Sequence, residues 1–291
     1  MDNKDTKPRR PRGGARKAVN TVKWMFGLLV AVVWIFPFYW MVVTSLKPES
    51  YILASVSLVP EVFTVQHYVT VFTKAPMLRW FANSIIVSVV VTLVRLAVSS
   101  LAGYALARMR FVGRTVIYLA LLGSLMIPDE ISIVPLFIWV LKLKLDDTYW
   151  ALIMPQLAGA FSVFLYRQFF LTFPRDLEDA ARMDGCGSFR TFRSVVFPLA
   201  KSATTACAII VFSFVWNDYL WPMLVSFKEP WMTLPVGAAI FNPVGFQQTG
   251  SQFGYGTAMA AIVIVALPTL AFFLGLQRYF IQGITREGLK G

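Results

Sequence analysis

The sequence has few of the residues that build metal centres or disulfide scaffolds. It contains two cysteines, Cys186 and Cys207, and one histidine, His67. These are too few for a Cys/His zinc cluster or for a framework of several disulfides. Because Cys186 falls in a predicted cytoplasmic loop and Cys207 in an apolar stretch, we expect no disulfide between them.

The sequence also lacks a phosphate-binding loop of the Walker A type, which needs the pattern G-x-x-x-x-G-K-[ST]. The nearest string runs from Gly283 to Gly288, but Leu289 separates its second glycine from the lysine. We therefore expect that the chain is not an enzyme, holds no metal and binds no cofactor itself.

Charge is scarce as well, whereas apolar residues are abundant. Charged residues make up 14% of the 291 residues and hydrophobic residues 57%, against about a quarter charged in an ordinary soluble domain. A soluble globule of this size could not bury so much apolar surface, but lipid as the solvent removes the difficulty. The composition predicts an integral membrane protein.

Six stretches are long and apolar enough to cross the hydrocarbon core, which takes about 20 residues of helix. The predicted spans are 22–46, 81–106, 115–141, 149–171, 204–225 and 259–280. Pro128-Asp129-Glu130 interrupts the third span. The predicted fold is all-α and polytopic, with six transmembrane helices inside residues 22–282.

The net charge of +12 is concentrated in the termini and in every second loop, as cytoplasmic loops require. This distribution predicts cytoplasmic termini and argues against nucleic acid as a partner. Residues 1–21 read as a disordered basic arm, and residues 283–291 as a cytoplasmic tail that either touches a partner or frays. Residues 47–80 and 226–258 are expected to form short interfacial helices around the outer mouth.

The loop 174–198, between the fourth and fifth spans, has helix signals of its own. Asp176 can cap a first short helix, and Gly185 suits its C-terminal end. Ser188 can cap a second helix that leads to Pro198. The sequence therefore predicts a cytoplasmic hairpin of two short helices across a glycine hinge.

The first helix of this hairpin carries a small apolar face. Its members are Leu177, Ala180, Ala181 and Met183. Small side chains let the surface of another protein approach closely, so the face suits docking. The alternative is an interfacial helix that only connects two spans.

The same segment resembles the coupling loop of permeases from ATP-binding-cassette (ABC) importers. Their pattern is Glu-Ala-Ala, three residues, Gly, nine residues, Ile, one residue and Leu-Pro. Here Asp179-Ala180-Ala181 is followed at that spacing by Gly185, with Asp184 before it, and then by Val195-Val196-Phe197-Pro198. Asp179, Val195 and Phe197 depart from the pattern but keep charge or apolarity.

Similarity to the carbohydrate-importer permeases, and to the shorter, maltose-type subunit of the pair, extends over nearly the whole chain. The segments that carry it are Met126-Ile127-Pro128 with Pro135-Leu136, the run 216–222, Thr233-Leu234-Pro235 and the ending 277–291. The coupling residues implied by this resemblance are Glu178, Asp179, Ala180, Ala181, Met183, Asp184, Gly185 and Pro198.

The resemblance implies a permease subunit that passes a mono- or oligosaccharide through the bacterial cytoplasmic (inner) membrane. Its expected partners are a second permease, an ATPase dimer that binds ATP and Mg, an extracytoplasmic sugar-binding protein and the membrane lipid. ATP would close the ATPase dimer, and the hairpin would carry that motion to the spans as a rigid-body switch.

Polar residues inside the predicted spans are candidates for a substrate pathway or gate. They are Asp129, Glu130, Trp216, Asn217, Asp218 and Tyr219. Acidic groups at membrane depth usually face a cavity or partner, and aromatic faces with Asn and Asp suit a sugar. The alternatives are snorkelling at the outer interface for the first pair, and an aromatic belt with bonds to another span for the rest.

Arg95 lies within the second predicted span. We expect it to be a structural charge that pairs with Asp218, Asp129 or Glu130, rather than a substrate contact.

Three other functions stay open from the sequence. Within ABC importers, the runner-up substrate is glycerol-3-phosphate or a polyol, for which Arg95 is the available cation. A secondary carrier acting alone is less favoured because no internal repeat is visible. A scaffold or receptor without transport is less favoured because polar residues within spans are costly to keep.

Overall fold

The computed structural model describes residues 13–54, 56–243 and 253–287, and within them it contains helices and no strand. The longer helices are α1 (Gly13–Ser45), α3 (Gln66–Lys74), α4 (Met77–Arg108), α5 (Arg114–Ser124), α6 (Asp129–Lys142), α8 (Ala160–Thr172), α9 (Asp176–Met183), α12 (Lys201–Trp216) and α15 (Tyr255–Glu287). Short helices are α2 (Glu49–Ile52), α7 (Tyr149–Ile153), α10 (Ser188–Thr191), α11 (Phe197–Leu199), α13 (Leu220–Val225) and α14 (Leu234–Ala238). The predicted all-α class is confirmed.

Three helices are long and apolar enough to cross a membrane unbroken: Val19–Ser45 within α1, Met77–Arg108 and Tyr255–Gly275 within α15. They coincide with the first, second and sixth predicted spans. Bent helix pairs stand at the other three, so the described residues hold between three and six spans.

Two of the three bends fall where proline or glycine interrupts the backbone ladder. The axes of α5 and α6 differ by 96° across a break that ends at Pro128. Tyr149–Gln156 and Ala160–Thr172 differ by 41° at Gly159. Proline lacks an N–H and disfavours helical backbone in the residue before it, so a continuous span is broken there.

The fifth predicted span, 204–225, is not one helix. Helix α12 ends at Trp216 and α13 begins at Leu220. Between them the Asn217 amide donates to the carbonyl of Ser213 at 2.7 Å, and Asp218 Oδ1 accepts from the backbone N–H of Trp221 at 3.4 Å. Polar side chains that bond the local backbone compete with the helical ladder and end it.

The terminal segments also differ from the prediction. Helix α1 begins at Gly13, inside the segment predicted to be a disordered arm, because alanine, arginine and lysine at 15–18 are strong helix formers that extend the span. Helix α15 continues to Glu287, into the predicted tail. Residues 1–12 and 288–291 lie outside the described residues.

Two hydrophobic clusters build the interior, and α4 belongs to both. One joins the later part of α4 to α8, α12 and α13, with Tyr166, Phe170 and Val211 among its members. The other joins the start of α4 to α3, α14 and α15 around Trp80 and Phe241. Helix α1 packs on α15 and leaves most of its apolar side chains exposed, as a lipid-facing helix requires.

The predicted outer segments form short helices, and the first of these segments is hydrogen-bonded to the start of α15. In the first segment, the carboxylate of Glu49 accepts from the backbone N–H groups of Tyr255 (2.7 Å) and Gly256 (3.0 Å) at the start of α15. His67 lies 2.8 Å from the carbonyl of Lys47 and 3.0 Å from Thr257 Oγ1. The positive end of α15 is thereby satisfied by a carboxylate from another element.

Candidate functional site

The loop 174–198 folds as the predicted hairpin, whose first arm is α9 and whose second arm is Ser188–Leu199. The turn between the arms is a Schellman motif. The N–H of Gly185 donates to the carbonyl of Arg182 at 3.0 Å, and the N–H of Cys186 to that of Ala181 at 3.0 Å. Gly185 has φ +79° with open space around its Cα, so its backbone conformation, not crowding, favours glycine. The predicted role of Gly185 as a helix stop is confirmed.

The prediction that Asp176 and Ser188 cap the two arms is wrong, because each N-cap lies one residue earlier in the chain. Arg175 and Gly187 are the N-caps of the two arms, and Asp176 and Ser188 are the first helical residues without a capping hydrogen bond. The acidic residues still suit the first turn of α9, where negative charge meets the positive end of the helix.

Helix α9 presents one face to the bundle and the opposite face to the exterior. Glu178 and Ala181 are buried, whereas Leu177 and Ala180 are exposed and Met183 is 88% exposed. The apolar face predicted from the sequence is therefore split, because Ala181 packs inward. Leu177, Ala180 and Met183, with exposed Phe189 at the start of the second arm, form what we call the docking surface.

The inward face of α9 is held by a buried ion pair. Glu178 Oε1 lies 3.1 Å from Arg108 Nε, and their side chains are 4% and 6% exposed. The contact is electrostatic, without hydrogen-bond alignment of those two atoms. The hydroxyl of Tyr104 donates to Glu178 Oε2 at 3.3 Å, and Arg108 Nη2 donates to the carbonyl of Phe173. The C-terminal end of α4 thus contacts both α9 and Phe173, the residue that follows α8.

The second arm is anchored by aromatic packing. Phe192 lies among Tyr104, Phe170 and Phe197, with ring centroids 5.1, 6.3 and 5.6 Å away. Residues Phe192–Val196 form a π-helical turn, a feature frequent at functional sites. Pro198 is exposed, and the arm meets α12 at a 78° bend.

The other residues that the sequence assigned to coupling lie on the exposed side of the hairpin. Asp179 is 3.7 Å from Arg182 in an ion pair whose side chains are both more than half exposed. Asp184, the C-cap of α9, is exposed beside the docking surface. Both charges are therefore available to a partner.

The residues predicted for a pathway or gate lie in two segments of the chain, the start of α6 and the break between α12 and α13. Asp129 and Glu130 form the exposed first turn of α6, at the 96° break. Asn217 and Tyr219 are exposed, and half-buried Asp218 accepts from Gln156 Nε2 at 3.1 Å.

Trp216 does not face a pathway. Its side chain is 1% exposed, stacks on Phe212 with ring centroids 5.8 Å apart, and donates from Nε1 to the carbonyl of Val265 at 2.9 Å. It belongs to the cluster between α12 and α15, because an indole in that interface buries a large apolar surface while its N–H stays bonded.

Arg95 lies on α4 against the break before α8. A Cβ placed on Gly159 would be 1.9 Å from Arg95 Nε, so glycine at 159 makes room for the guanidinium. Among the described residues Arg95 forms no ion pair within 4.0 Å and its Nε has no hydrogen-bond partner. The pairing expected with Asp218, Asp129 or Glu130 is therefore not formed in this structure.

Sequence reasoning missed Arg108 and Tyr104 as parts of the site. Both lie in α4, about 70 residues before Glu178, and a single sequence holds no local signal for such a pairing. The only indication was that Glu178 and Ala181 are three residues apart and so share one helical face.

The comparisons with known proteins agree with this organisation. The family described as "Binding-protein-dependent transport system inner membrane component" matches residues 96–286, which include the hairpin. A solved structure described as a bacterial ABC transporter involved in the import of the acidic polysaccharide alginate has a TM-score of 0.79 at 22% identity. The alignment covers 94% of this chain and 100% of that chain, so the fold is shared.

Relatives with higher identity align over nearly the full length. The arabinooligosaccharides transport system permease protein AraQ of Halalkalibacterium halodurans is 34% identical, over 95% of this chain and 99% of that protein. The trehalose/maltose transport system permease protein MalG of Thermococcus litoralis is 35% identical, over 91% and 94%. The sn-glycerol-3-phosphate transport system permease protein UgpE of Shigella flexneri is 31% identical, over 89% and 93%. The chain therefore belongs to the inner membrane components of binding-protein-dependent transport systems, the permeases of ABC importers.

Proposed function

We propose that this chain is one of two permease subunits of an ATP-driven importer, and that it shares with the second permease a pathway for a mono- or oligosaccharide. The substrate would be delivered by an extracytoplasmic binding protein. ATP and Mg would bind the partner ATPase dimer, and both termini would lie in the cytoplasm of a bacterium. The relatives named for arabinooligosaccharides and for trehalose/maltose support a sugar as the substrate.

The observation that carries the proposal is the docking surface on a firmly anchored hairpin. Met183 is 88% exposed although the rest of α9 is held by a buried ion pair. Exposed apolar side chains on an anchored helical hairpin suit a protein partner, since a few apolar residues usually contribute most of the binding free energy of such contacts. The hairpin lies between α8 and α12 in the chain. A movement of the hairpin by a partner would therefore be transmitted to these two helices of the membrane bundle.

Ala180→Arg tests this surface. Ala180 is exposed, so arginine is accommodated by the fold but places a long charged side chain in the contact with the partner. Ala54→Arg is the matched control, because Ala54 is also exposed but lies between α2 and α3. We expect the detergent-solubilised wild type and Ala54→Arg to co-purify with an ATPase and a second permease, and Ala180→Arg to lose at least nine-tenths of the ATPase.

Two results would contradict the proposal. Equal recovery of the ATPase with Ala180→Arg and wild type would show that the docking surface is not the contact. Wild type that purifies alone and transports by itself in liposomes would replace the importer with a secondary carrier.

A second candidate substrate, sn-glycerol-3-phosphate, is favoured by one observation. Arg95 has no carboxylate within 4.0 Å among the described residues and is therefore free to meet an anion. A relative named for that substrate matches over most of the chain. Stimulation of ATP hydrolysis by binding proteins loaded with either ligand decides between the two, and loss of the phosphate response in Arg95→Gln would assign that residue.

A further inference from the structure

The cytoplasmic hairpin, as proposed above, has two different routes into the bundle. Its second arm continues into α12 through the chain itself, across the bend at Ala200. Its first arm, α9, reaches α4 without a chain connection, through the buried pair of Arg108 and Glu178. A force on α9 would therefore reach α4 through that pair, next to the packing of Phe192 from the second arm on Tyr104.

The contact between α9 and α4 is a buried ion pair with a hydrogen bond beside it, not apolar packing alone. Glu178 accepts the Tyr104 hydroxyl with one oxygen and faces Arg108 with the other, at 3.3 and 3.1 Å. Separating the two charges inside the bundle would leave each one buried without a partner, which is strongly unfavourable. The contact should consequently persist whether α9 is pushed towards α4 or pulled away from it.

Helix α4 is suited to carry a displacement to its other end. It is unbroken over 32 residues and hence about 48 Å long. It has no internal proline, whereas the helix pairs at the third and fourth predicted spans are bent by 96° and 41°. An unbroken helix packed in a bundle moves as a body, because packed interiors transmit strain.

The Met77 end of α4 holds the segment 229–238 through several hydrogen bonds and direct ring packing. Trp80 Nε1 donates to the carbonyl of Glu229 at 2.8 Å, and the Asn83 amide donates to the carbonyls of Pro230 and Met232 at 2.9 and 2.8 Å. A Cβ on Gly237 would lie 2.1 Å from the Trp80 ring, so α14 packs directly on it. A shift of α4 would thus shift this segment as well.

We propose that Arg108, Glu178 and Tyr104 are positioning residues that form a joint between the hairpin and α4, and that α4 acts as a lever which moves 229–238 when the ATPase moves α9. This inference rests on the proposed function. It assigns to Glu178 a role inside the subunit, whereas the sequence pattern placed it among the residues that meet the ATPase.

The test uses the complete complex in liposomes, with the partner permease, the ATPase and the substrate-loaded binding protein. Glu178→Gln keeps the shape of the side chain and an acceptor for Tyr104 but removes the charge that faces Arg108. The double variant Arg108→Glu/Glu178→Arg restores a pair with reversed positions. Arg182→Gln, which breaks the exposed ion pair on the same helix, is the matched control.

We expect Glu178→Gln to retain the ATPase on purification, because the docking surface is intact, and to hydrolyse ATP at the basal rate. Stimulation by the loaded binding protein and transport should both fall at least tenfold. The double variant should recover more than half of each, and Arg182→Gln should match wild type. This separation of assembly from coupling is not expected of a residue that only stabilises the fold.

Wild-type coupling in Glu178→Gln, or no recovery in an assembled double variant, would overturn the joint while leaving the proposed function intact. Absence of an ATPase from the wild type would instead remove the proposed function. If Glu178→Gln itself fails to assemble, Tyr104→Phe decides, since it removes a single hydroxyl. A fall in stimulation with normal assembly then supports the joint, and unchanged stimulation overturns it.

Discussion

At its Arg108 end, helix α4 is held by a buried ion pair with a carboxylate, whereas at its Met77 end it is held by several hydrogen bonds to backbone groups. The first end places full charges 3.1 Å apart on Arg108 and Glu178. The second end spreads its contacts over Arg79, Trp80, Asn83 and Ser84, which bond three backbone carbonyls and one N–H. Loss of one partner should therefore cost more at the first end, because it leaves an uncompensated buried charge.

The largest effect is expected when only one member of the ion pair is removed. Glu178→Leu should lower the free energy of unfolding by about 3–5 kcal/mol, because Arg108 stays buried without a counter-charge. The double variant Arg108→Met/Glu178→Leu should lie near wild type, since apolar side chains of similar volume replace a buried pair at little cost. Denaturant unfolding of the detergent-solubilised protein measures both.

The exposed pair of Arg182 and Asp179 gives the control for this comparison. Their side chains are 54% and 64% exposed, so Arg182→Gln should change the unfolding free energy by less than about 1 kcal/mol. Equal effects of Glu178→Leu and Arg182→Gln would show that burial does not distinguish the two pairs.

An intermediate effect is expected at the Met77 end. Asn83→Leu removes two donated hydrogen bonds and the acceptor of the Tyr149 hydroxyl. The cost should be about 1–3 kcal/mol, because buried polar groups lose their partners. Ser84→Ala, which removes one acceptor for the N–H of Leu234, should cost about 1 kcal/mol in the same unfolding experiment. A cost for Asn83→Leu above that of Glu178→Leu would reverse the ranking of the two ends.

A small effect is expected at the turn of the hairpin. Gly185 has φ +79° and open space around it, so Gly185→Ala should cost about 1 kcal/mol through backbone strain alone. Gly187 also has open space, but its φ is −72°. Gly187→Ala should therefore be close to neutral, and equal costs for the two glycines would rule out strain as the cause.

The sequence predicted the hairpin well because its signals are local. Gly185 marks a left-handed turn, and the two flanking helices follow from residues within one or two turns of it. The assignment of Trp216 to a pathway failed for the opposite reason. Whether an indole faces a cavity or a neighbouring helix depends on what packs beside it, and here that neighbour is α15, some 50 residues away in the chain.

The sequence by itself determined the membrane environment, the apolar segments, the glycine turn and the resemblance to a coupling loop, because these depend on composition and short spacing. Only the tertiary structure decided that Glu178 and Ala181 face inward, that Arg108 and Tyr104 contact Glu178, and that Arg95 lies beside Gly159 with no ion pair to any residue the structure describes. These contacts join helices that are distant in the chain, and the dense packing that selects them is a property of the whole bundle.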